Sequence, residues 1–106
     1  MAMTPEKAVK NRIDVILKEL GAWYFKPSAN GYGRSSIPDF IGSLKGQLIA
    51  IEAKAKGNKP TVLQARELEK IRASGGFAKV IDENNVDGLK ADLEDWIRDR
   101  WIPGGE

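Results

Sequence analysis

The segment QLIAIEAKA, residues 47–55, constrains the fold of this chain more than any other stretch of its sequence. Side chains of a β-strand alternate between two faces, so the odd-numbered residues from Ile49 to Ala55 share one wholly apolar face. Such a face has to be buried, which predicts a central strand. The other face carries Glu52 and Lys54 side by side. Because burying an acid and a lysine costs free energy unless they are paired or bind an ion, this face is the first candidate functional feature.

The remaining periodicity places helices and other strands around this segment. Thr4 can cap a first helix that Gly21 ends, and Lys45-Gly46 makes a turn between two strands. The predicted helices cover residues 4–21, 61–76 and 86–101, and the predicted strands cover residues 22–26, 37–43, 47–55 and 77–83. A strand–helix–strand step gives a parallel pair. The order α-β-β-β-α-β-α therefore predicts one α/β domain, residues 1–106, with a mixed sheet flanked by helices.

Two residue types are absent from the chain. It has no cysteine and no histidine, which excludes disulfides, thiolate metal sites, Ser-His-Asp triads and imidazole acid–base chemistry. Hydrolysis would have to rest on carboxylates, lysines and a hard metal ion that prefers oxygen ligands. The longest apolar stretch, LIAI, is too short to span a bilayer, and MAMTPEK is not a signal peptide. We therefore expect an intracellular protein with no membrane partner.

The charge is unevenly spread along the chain. Residues 1–81 carry 14 Lys and Arg against 7 Asp and Glu, whereas residues 82–106 carry 3 against 8. A basic body is a natural partner for a polyanion such as DNA, because neutralising phosphates releases counterions. An ordinary solvated surface explains the charge equally well.

Asp39 follows Pro38 in the short strand before the turn. If this strand and the central one form a hairpin about Lys45-Gly46, Asp39 lies across from Glu52. Two carboxylates held close repel each other, and one takes up a proton unless a divalent cation lies between them. The hairpin therefore predicts a metal site.

Two further polar residues fall on helix faces that point toward the core. Glu6 lies at the N-terminal end of the apolar stripe of the first helix, although the preference of helix N-termini for acids also explains it. Gln64 shares the inward face of its helix with Leu68 and Ile71. Thr61 and Gln64 also have the spacing of a capping box, and the two explanations of Gln64 carry equal weight.

These residues together form a recognisable pattern. Pro38-Asp39, twelve intervening residues and Glu52-Ala53-Lys54 match the PD-(D/E)xK nuclease motif. With Glu6, the segments GYGRSSIPDFIG and GQLIAIEAKA, Gln64, and then GG and AKVID, the chain resembles the VRR-NUC family, and in particular its small stand-alone members from phages and prophages. The resemblance covers the chain up to about residue 90. Ser36 departs from the pattern, because relatives often carry glycine there, and we expect only a small backbone effect.

The resemblance implies a restriction-endonuclease-like core that cleaves DNA phosphodiesters with Mg²⁺ or Mn²⁺. In such a site Asp39, Glu52 and the backbone carbonyl of Ala53 would be metal ligands. Lys54 would orient or deprotonate the attacking water and offset charge in the transition state. Gln64 would position that water or the lysine. Glu6 would complete the site through a water or a second ion.

Several residues in strand ends and loops near the face that carries the acids are candidates for holding the DNA. Cationic side chains would contact the backbone, and Tyr32 could stack on an unpaired base. A solvated surface explains these side chains as well. The candidates are Lys26, Tyr32, Arg34, Lys45, Lys56 and Lys59.

The interpretation is a metal-dependent DNA endonuclease, with branched or Holliday-junction DNA as the first expectation for its substrate. Nicking of duplex DNA during phage DNA processing is the second, and a non-catalytic DNA-binding or assembly module of the same fold is the alternative. A phosphohydrolase acting on nucleotides is disfavoured, because no phosphate-cradling glycine loop is present. We expect a phage- or prophage-encoded protein in the cytoplasm of a bacterial host.

We expect the protein to form a homodimer. Symmetric cutting of a four-way junction needs two active sites, which a twofold homodimer supplies. The C-terminal segment, residues 86–102, carries a stripe with two tryptophans near its end, Trp96 and Trp101. Because tryptophan is enriched at interface hot spots, we expect this segment to contribute to the dimer interface.

Overall fold

The computed structural model describes residues 3–27 and 36–100. The element types and their order match the prediction, and a single 3₁₀ turn precedes the last helix, which therefore begins later than expected. The helices are α1 (Pro5–Leu20), α2 (Val62–Ala73) and α3 (Leu89–Arg100), the 3₁₀ turn is Val86–Gly88, and the strands are β1 (Trp23–Phe25), β2 (Phe40–Leu44), β3 (Gln47–Ala53) and β4 (Phe77–Ile81).

The four strands form one mixed sheet in the order β1-β2-β3-β4. The pairs β1–β2 and β2–β3 are antiparallel, and β3 and β4, which α2 connects, are parallel as predicted. The turn between β2 and β3 consists of Lys45 and Gly46, with φ angles of 52° and 80°. Two consecutive positive φ angles suit the twist of a two-residue hairpin, so this turn fixes the register in which Leu44 faces Gln47.

The sheet is covered on both faces. The main core joins one face of β3 to α1 and α3, through Ile13, Ile51 and Leu89 among others. On the opposite face Ala50 packs with Leu68 of α2 and Ala78 of β4. Five consecutive residues of β3, from Ile49 to Ala53, are therefore buried, so that the prediction of a central strand is confirmed. The face that carries Glu52 is therefore buried as well.

The apolar stripe of α3 belongs largely to this core. Leu89 and Leu93 are fully buried, and the ring of Trp96 meets Phe77 of β4 edge-on at 5.6 Å between centroids. Trp101 and Ile102, at the end of the expected interface segment, lie outside the described residues. In the part of the chain that the structure describes, no helix is long and apolar enough to cross a membrane.

Candidate active site

The hairpin brings Asp39 to the end of β3. Phe40 pairs with Ile51, so Asp39, one residue earlier, is in line with Glu52, one residue later. The side chain of Asp39 is fixed there, because its Oδ2 accepts a hydrogen bond of 2.9 Å from the backbone N–H of Ala53. The predicted hairpin register is confirmed, and it places the two acids at the same end of the sheet.

Glu52 is a buried carboxyl group, with only 3% of its surface exposed. Lys54 lies beside it, with Nζ 3.5 Å from Oε2. Burial, followed by the negative charge of Asp39, raises the pKa of Glu52 from 4.5 to about 7, although Lys54 partly opposes that rise. Near neutral pH this carboxyl group is therefore poised between its two protonation states, and any additional positive charge between the acids would favour the ionised state.

Lys10 of α1 is a member of this cluster that the sequence analysis missed. Its Nζ lies 3.4 Å from Oε2 of Glu6 and 3.6 Å from Oδ1 of Asp39. Glu6 is thereby linked to Asp39 through a lysine. The available signal was the spacing, because residues four apart on a helix share a face, so Lys10 faces the same way as Glu6.

Gln64 takes part in the capping box that its spacing indicated. Its Oε1 accepts a hydrogen bond of 2.9 Å from the N–H of Thr61, and its own N–H donates to Thr61 Oγ1 at 3.1 Å. The side chain is half-buried at the start of α2. Capping thus accounts for one contact of Gln64, and a role in positioning water stays a prediction.

The donor set at this end of the sheet can be compared with what a divalent cation requires. Within residues 3–27 and 36–100, no three or more acidic, histidine or cysteine side chains are grouped closely enough to hold a metal ion. Mg²⁺, however, is usually held by one or two carboxylates and keeps several waters. Asp39 and Glu52 supply two carboxylates, and burial together with the charge of Asp39 raises the pKa of Glu52. These residues therefore suit a hard divalent cation that keeps several of its waters, rather than a cation enclosed entirely by protein ligands.

The candidate DNA-binding lysines occupy different parts of the molecule. Lys56 and Lys59 are exposed in the loop after β3, next to Lys54 and the acids. Lys45, in the hairpin turn, lies at the opposite end of β3, about 20 Å from Glu52 at ~3.4 Å per residue. Lys45 therefore does not lie near the acids as expected, because the hairpin separates its turn from its open end, and a contact between Lys45 and DNA stays a prediction.

Lys26 is already engaged within the chain. Its Nζ lies 2.8 Å from Oδ2 of Asp14 and 5.9 Å from the centroid of the Phe40 ring. Its charge is therefore largely compensated before any DNA binds. Tyr32 and Arg34 lie outside the described residues.

Ser36 has an unusual backbone conformation just before the Pro38-Asp39 pair. Its φ angle is 71°, in the left-handed region that glycine adopts without steric cost. This conformation gives a physical reason for the glycine that the family pattern often has there. Serine at this position strains the backbone three residues before Asp39.

Comparisons with known proteins agree with this architecture. No family model matches the chain. A protein named "Putative nuclease p44", from Acyrthosiphon pisum secondary endosymbiont phage 1, is 28% identical over 90 residues, covering 84% of this chain and 95% of that protein. A solved structure described as "VRR_NUC domain" matches with a TM-score of 0.65 at 24% identity, covering 93% of this chain and 100% of that structure. The resemblance to the VRR-NUC family predicted from the sequence is thereby confirmed.

Proposed function

Because this chain has the fold of a VRR_NUC domain, we propose that it is a divalent-metal-dependent DNA endonuclease. The observation that carries the proposal is the hydrogen bond from the Ala53 N–H to Asp39, which fixes one carboxylate beside buried Glu52 and its partner Lys54. Burying charged groups together at one strand end costs free energy, and packing of the core alone does not require these two acids and this lysine. The nuclease name of the phage relative supports the same conclusion.

The ligands in this proposal are Asp39, Glu52 and the backbone carbonyl of Ala53. Mg²⁺ or Mn²⁺ bound there would neutralise charge on the phosphate oxygens and make a nearby water more acidic, and neither effect needs a histidine. Asp39 is held by a backbone hydrogen bond, and Glu52 by the strand interior. Neither acid has to be ordered when the cation binds, because the fold has already placed both.

Lys54 is the proposed partner of the attacking water. Its side chain is only 16% exposed, and its ammonium group contacts the carboxylate of Glu52. Once Glu52 also binds a cation, Lys54 can donate a hydrogen bond to the water or to a non-bridging phosphate oxygen. The water oxygen would form the new bond to phosphorus and lose its proton to solvent as the bond to the leaving sugar oxygen breaks, and that sugar oxygen would take a proton from solvent. The ammonium charge stabilises the negative charge that builds during this exchange.

Gln64 and Glu6 have supporting roles in the proposal. The amide of Gln64 would position the water from the start of α2, while its oxygen also caps the helix. Glu6 would act at the outer side of the site, where Lys10 now links it to Asp39. Lys56 and Lys59 would contact the DNA backbone close to the acids. Further proposed contacts with DNA are Lys26, Tyr32, Arg34 and Lys45.

Branched or junction DNA is the proposed substrate, and duplex nicking during phage DNA processing is the second possibility in this class. A homodimer would place two such sites on paired strands. A non-catalytic module is less favoured, because Asp39, Glu52 and Lys54 are all present and lie together. The proposed location is the cytoplasm of a bacterial host, as expected of a phage or prophage protein.

The experiment that tests the proposal uses a panel of end-labelled DNA molecules. Wild-type protein is incubated with four-way junctions, flaps, duplexes and single strands in Mg²⁺, in Mn²⁺ and in EDTA. We expect cleavage with either cation, none with EDTA, and the fastest cleavage on the branched molecules. Cleavage that persists in EDTA would contradict the metal, and absence of cleavage on every substrate would favour the non-catalytic module.

A further inference from the structure

The acid cluster contains a second lysine whose place the proposed chemistry does not explain. Lys10 projects from α1 between Glu6 and Asp39, at 3.4 and 3.6 Å from their carboxylate oxygens. Each acid of the hairpin thus has its own lysine, Lys10 for Asp39 and Lys54 for Glu52. Lys54 belongs to the PD-(D/E)xK motif, whereas Lys10 does not.

Both oxygens of Asp39 are occupied in this arrangement. Oδ2 accepts from the backbone N–H of Ala53, which the pairing of the strands holds in place. Oδ1 faces the ammonium group of Lys10. Because Oδ2 already accepts a hydrogen bond from the sheet, a cation competes least with the sheet when it binds Asp39 through Oδ1, where the positive charge of Lys10 already lies.

The helix that carries Lys10 is held in place by the core, but the side chain of Lys10 can move. Val9 and Ile13, on either side of it in sequence, are buried in the main core, so α1 cannot move away from the site. The Lys10 side chain is 35% exposed, so its flexible four-carbon stem has a route to solvent. Displacement of Lys10 therefore requires only a change of rotamer.

We propose that Lys10 holds the cation position beside Asp39 in the metal-free protein and competes with a divalent cation for that carboxylate. The proposal rests on the metal site proposed above. Lys10 is thus a positioning residue that sets the cation concentration at which the site fills. It keeps Glu6 and Asp39 together while no metal is bound, and its ammonium group must leave Oδ1 when metal binds, because like charges repel.

The test measures Mn²⁺ binding to the protein alone, without DNA, by isothermal titration calorimetry. In Lys10→Gln the competing charge is gone, and we expect Mn²⁺ to bind roughly three- to tenfold more tightly. Binding then no longer has to break the partly exposed ion pair between Lys10 and Asp39, and no ammonium charge repels the metal. Lys10→Arg keeps the charge and should bind Mn²⁺ like wild type. Circular dichroism checks that α1 remains folded in each variant.

Lys18→Gln is the matched control. Lys18 is exposed near the end of the same helix, about 12 Å from Lys10 along the axis. Its substitution therefore removes one positive charge that is too far from the acids for strong Coulomb effects at ~0.1 M salt. We expect its Mn²⁺ affinity to be unchanged. An equal gain in Lys18→Gln would overturn the proposal, because net charge would then explain the effect.

Asp39→Asn separates this proposal from the metal site on which it rests. We expect this variant to bind Mn²⁺ weakly or not at all. If it does so while Lys10→Gln shows unchanged or weaker binding than wild type, the role of Lys10 alone is contradicted. If Asp39→Asn binds Mn²⁺ as well as wild type, both the metal site and the competition by Lys10 are contradicted.

Discussion

Ala53 donates its backbone N–H to Oδ2 of Asp39 over 2.9 Å, and this bond fixes the acid that precedes β2 to the residue between Glu52 and Lys54 on β3. Beyond the last strand pair, Phe40 with Ile51, Asp39 is one residue further on one strand and Ala53 two residues further on the other, so the contact extends the ladder with a side chain in place of a carbonyl. A carboxylate held in this way keeps its other oxygen for a cation. The hairpin therefore positions its acids by the same register that positions its core.

Stability should depend on pH through Glu52. Its pKa is 4.5 in the unfolded chain and about 7 in the folded protein, so folding favours the protonated carboxyl group. The contribution of Glu52 to the free energy of unfolding is therefore complete below about pH 4.5. It is lost as pH rises through about 7, a change of about 3 kcal/mol. The difference in unfolding free energy between wild type and Glu52→Gln, measured in urea without divalent cations, should fall by that amount between pH 4.5 and 8.

The comparison with Asp39→Asn identifies the second cause of this shift. Removing the charge of Asp39 should lower the pKa of Glu52 and shorten the pH window over which stability is lost, because that charge contributes to the rise. A stability difference between wild type and Glu52→Gln that does not vary with pH would contradict the raised pKa of the buried Glu52 carboxyl group.

Ser36→Gly should stabilise the protein. The φ angle of 71° at Ser36 is strained for serine and free for glycine, although the greater freedom of glycine in the unfolded chain offsets part of the gain. We expect a net gain of about 0.5–1 kcal/mol in thermal or urea unfolding. Ser43→Gly, the same substitution within β2, should destabilise the protein, and a loss of stability in Ser36→Gly would refute the strain.

Gln64→Glu separates capping from catalysis. The substituted carboxylate still accepts the hydrogen bond from Thr61, so the melting temperature should change little. The added charge beside the metal should reduce the cleavage rate sharply. Gln64→Ala removes the hydrogen bond from Thr61 N–H but leaves Thr61 as the N-cap, so it should cost about 0.5–1 kcal/mol of stability. A normal cleavage rate in Gln64→Glu would leave Gln64 with the cap alone.

Trp96→Ala should destabilise the single chain. Trp96 is half-buried against Phe77, and its loss should cost about 2–3 kcal/mol of unfolding free energy. Trp23→Ala is the control, because Trp23 is 69% exposed and should contribute much less. Equal effects of the two substitutions would mean that α3 is not packed against β4 as described.

The dimer remains a separate prediction. Light scattering at micromolar concentration should give about twice the chain mass of 11.7 kDa. Of the two tryptophans on which the predicted interface depends, Trp96 packs against Phe77 within the single chain, and Trp101 lies outside the described residues. A monomer mass with junction cleavage intact would exclude the dimer.

Much of this arrangement could be predicted because it depends on local chemistry. Helix caps, the Lys45-Gly46 turn and period-two alternation are properties of neighbouring residues, and the turn alone sets Asp39 against Glu52. Other features depend on where distant elements pack. The burial of β3 on both faces requires α2 to cover Ala50, and no alternation pattern in β3 states which helix does so.

The positions of Lys45 and Lys10 relative to the acids could not be predicted for the same reason, because they depend on how the elements are arranged in space. Lys45 and Asp39 are close in sequence, but six residues of extended strand carry Lys45 away from the acids. Lys10 is far from Asp39 in sequence, yet the packing of α1 brings its ammonium group to Oδ1. Acid pairs within a hairpin are predictable from register, whereas ion pairs between a helix and a sheet depend on tertiary packing.

The central claim is that Asp39 and Glu52 act together on DNA through a divalent cation. The most direct measurement is cleavage of a labelled four-way junction by wild type, Asp39→Asn and Glu52→Gln in Mg²⁺ and Mn²⁺, with DNA affinity measured in parallel. We expect both variants to lose cleavage with either cation while binding DNA as well as or better than wild type, since each loses a negative charge that faces the phosphate. Full cleavage by either variant, in Mg²⁺ or in Mn²⁺, would contradict the claim.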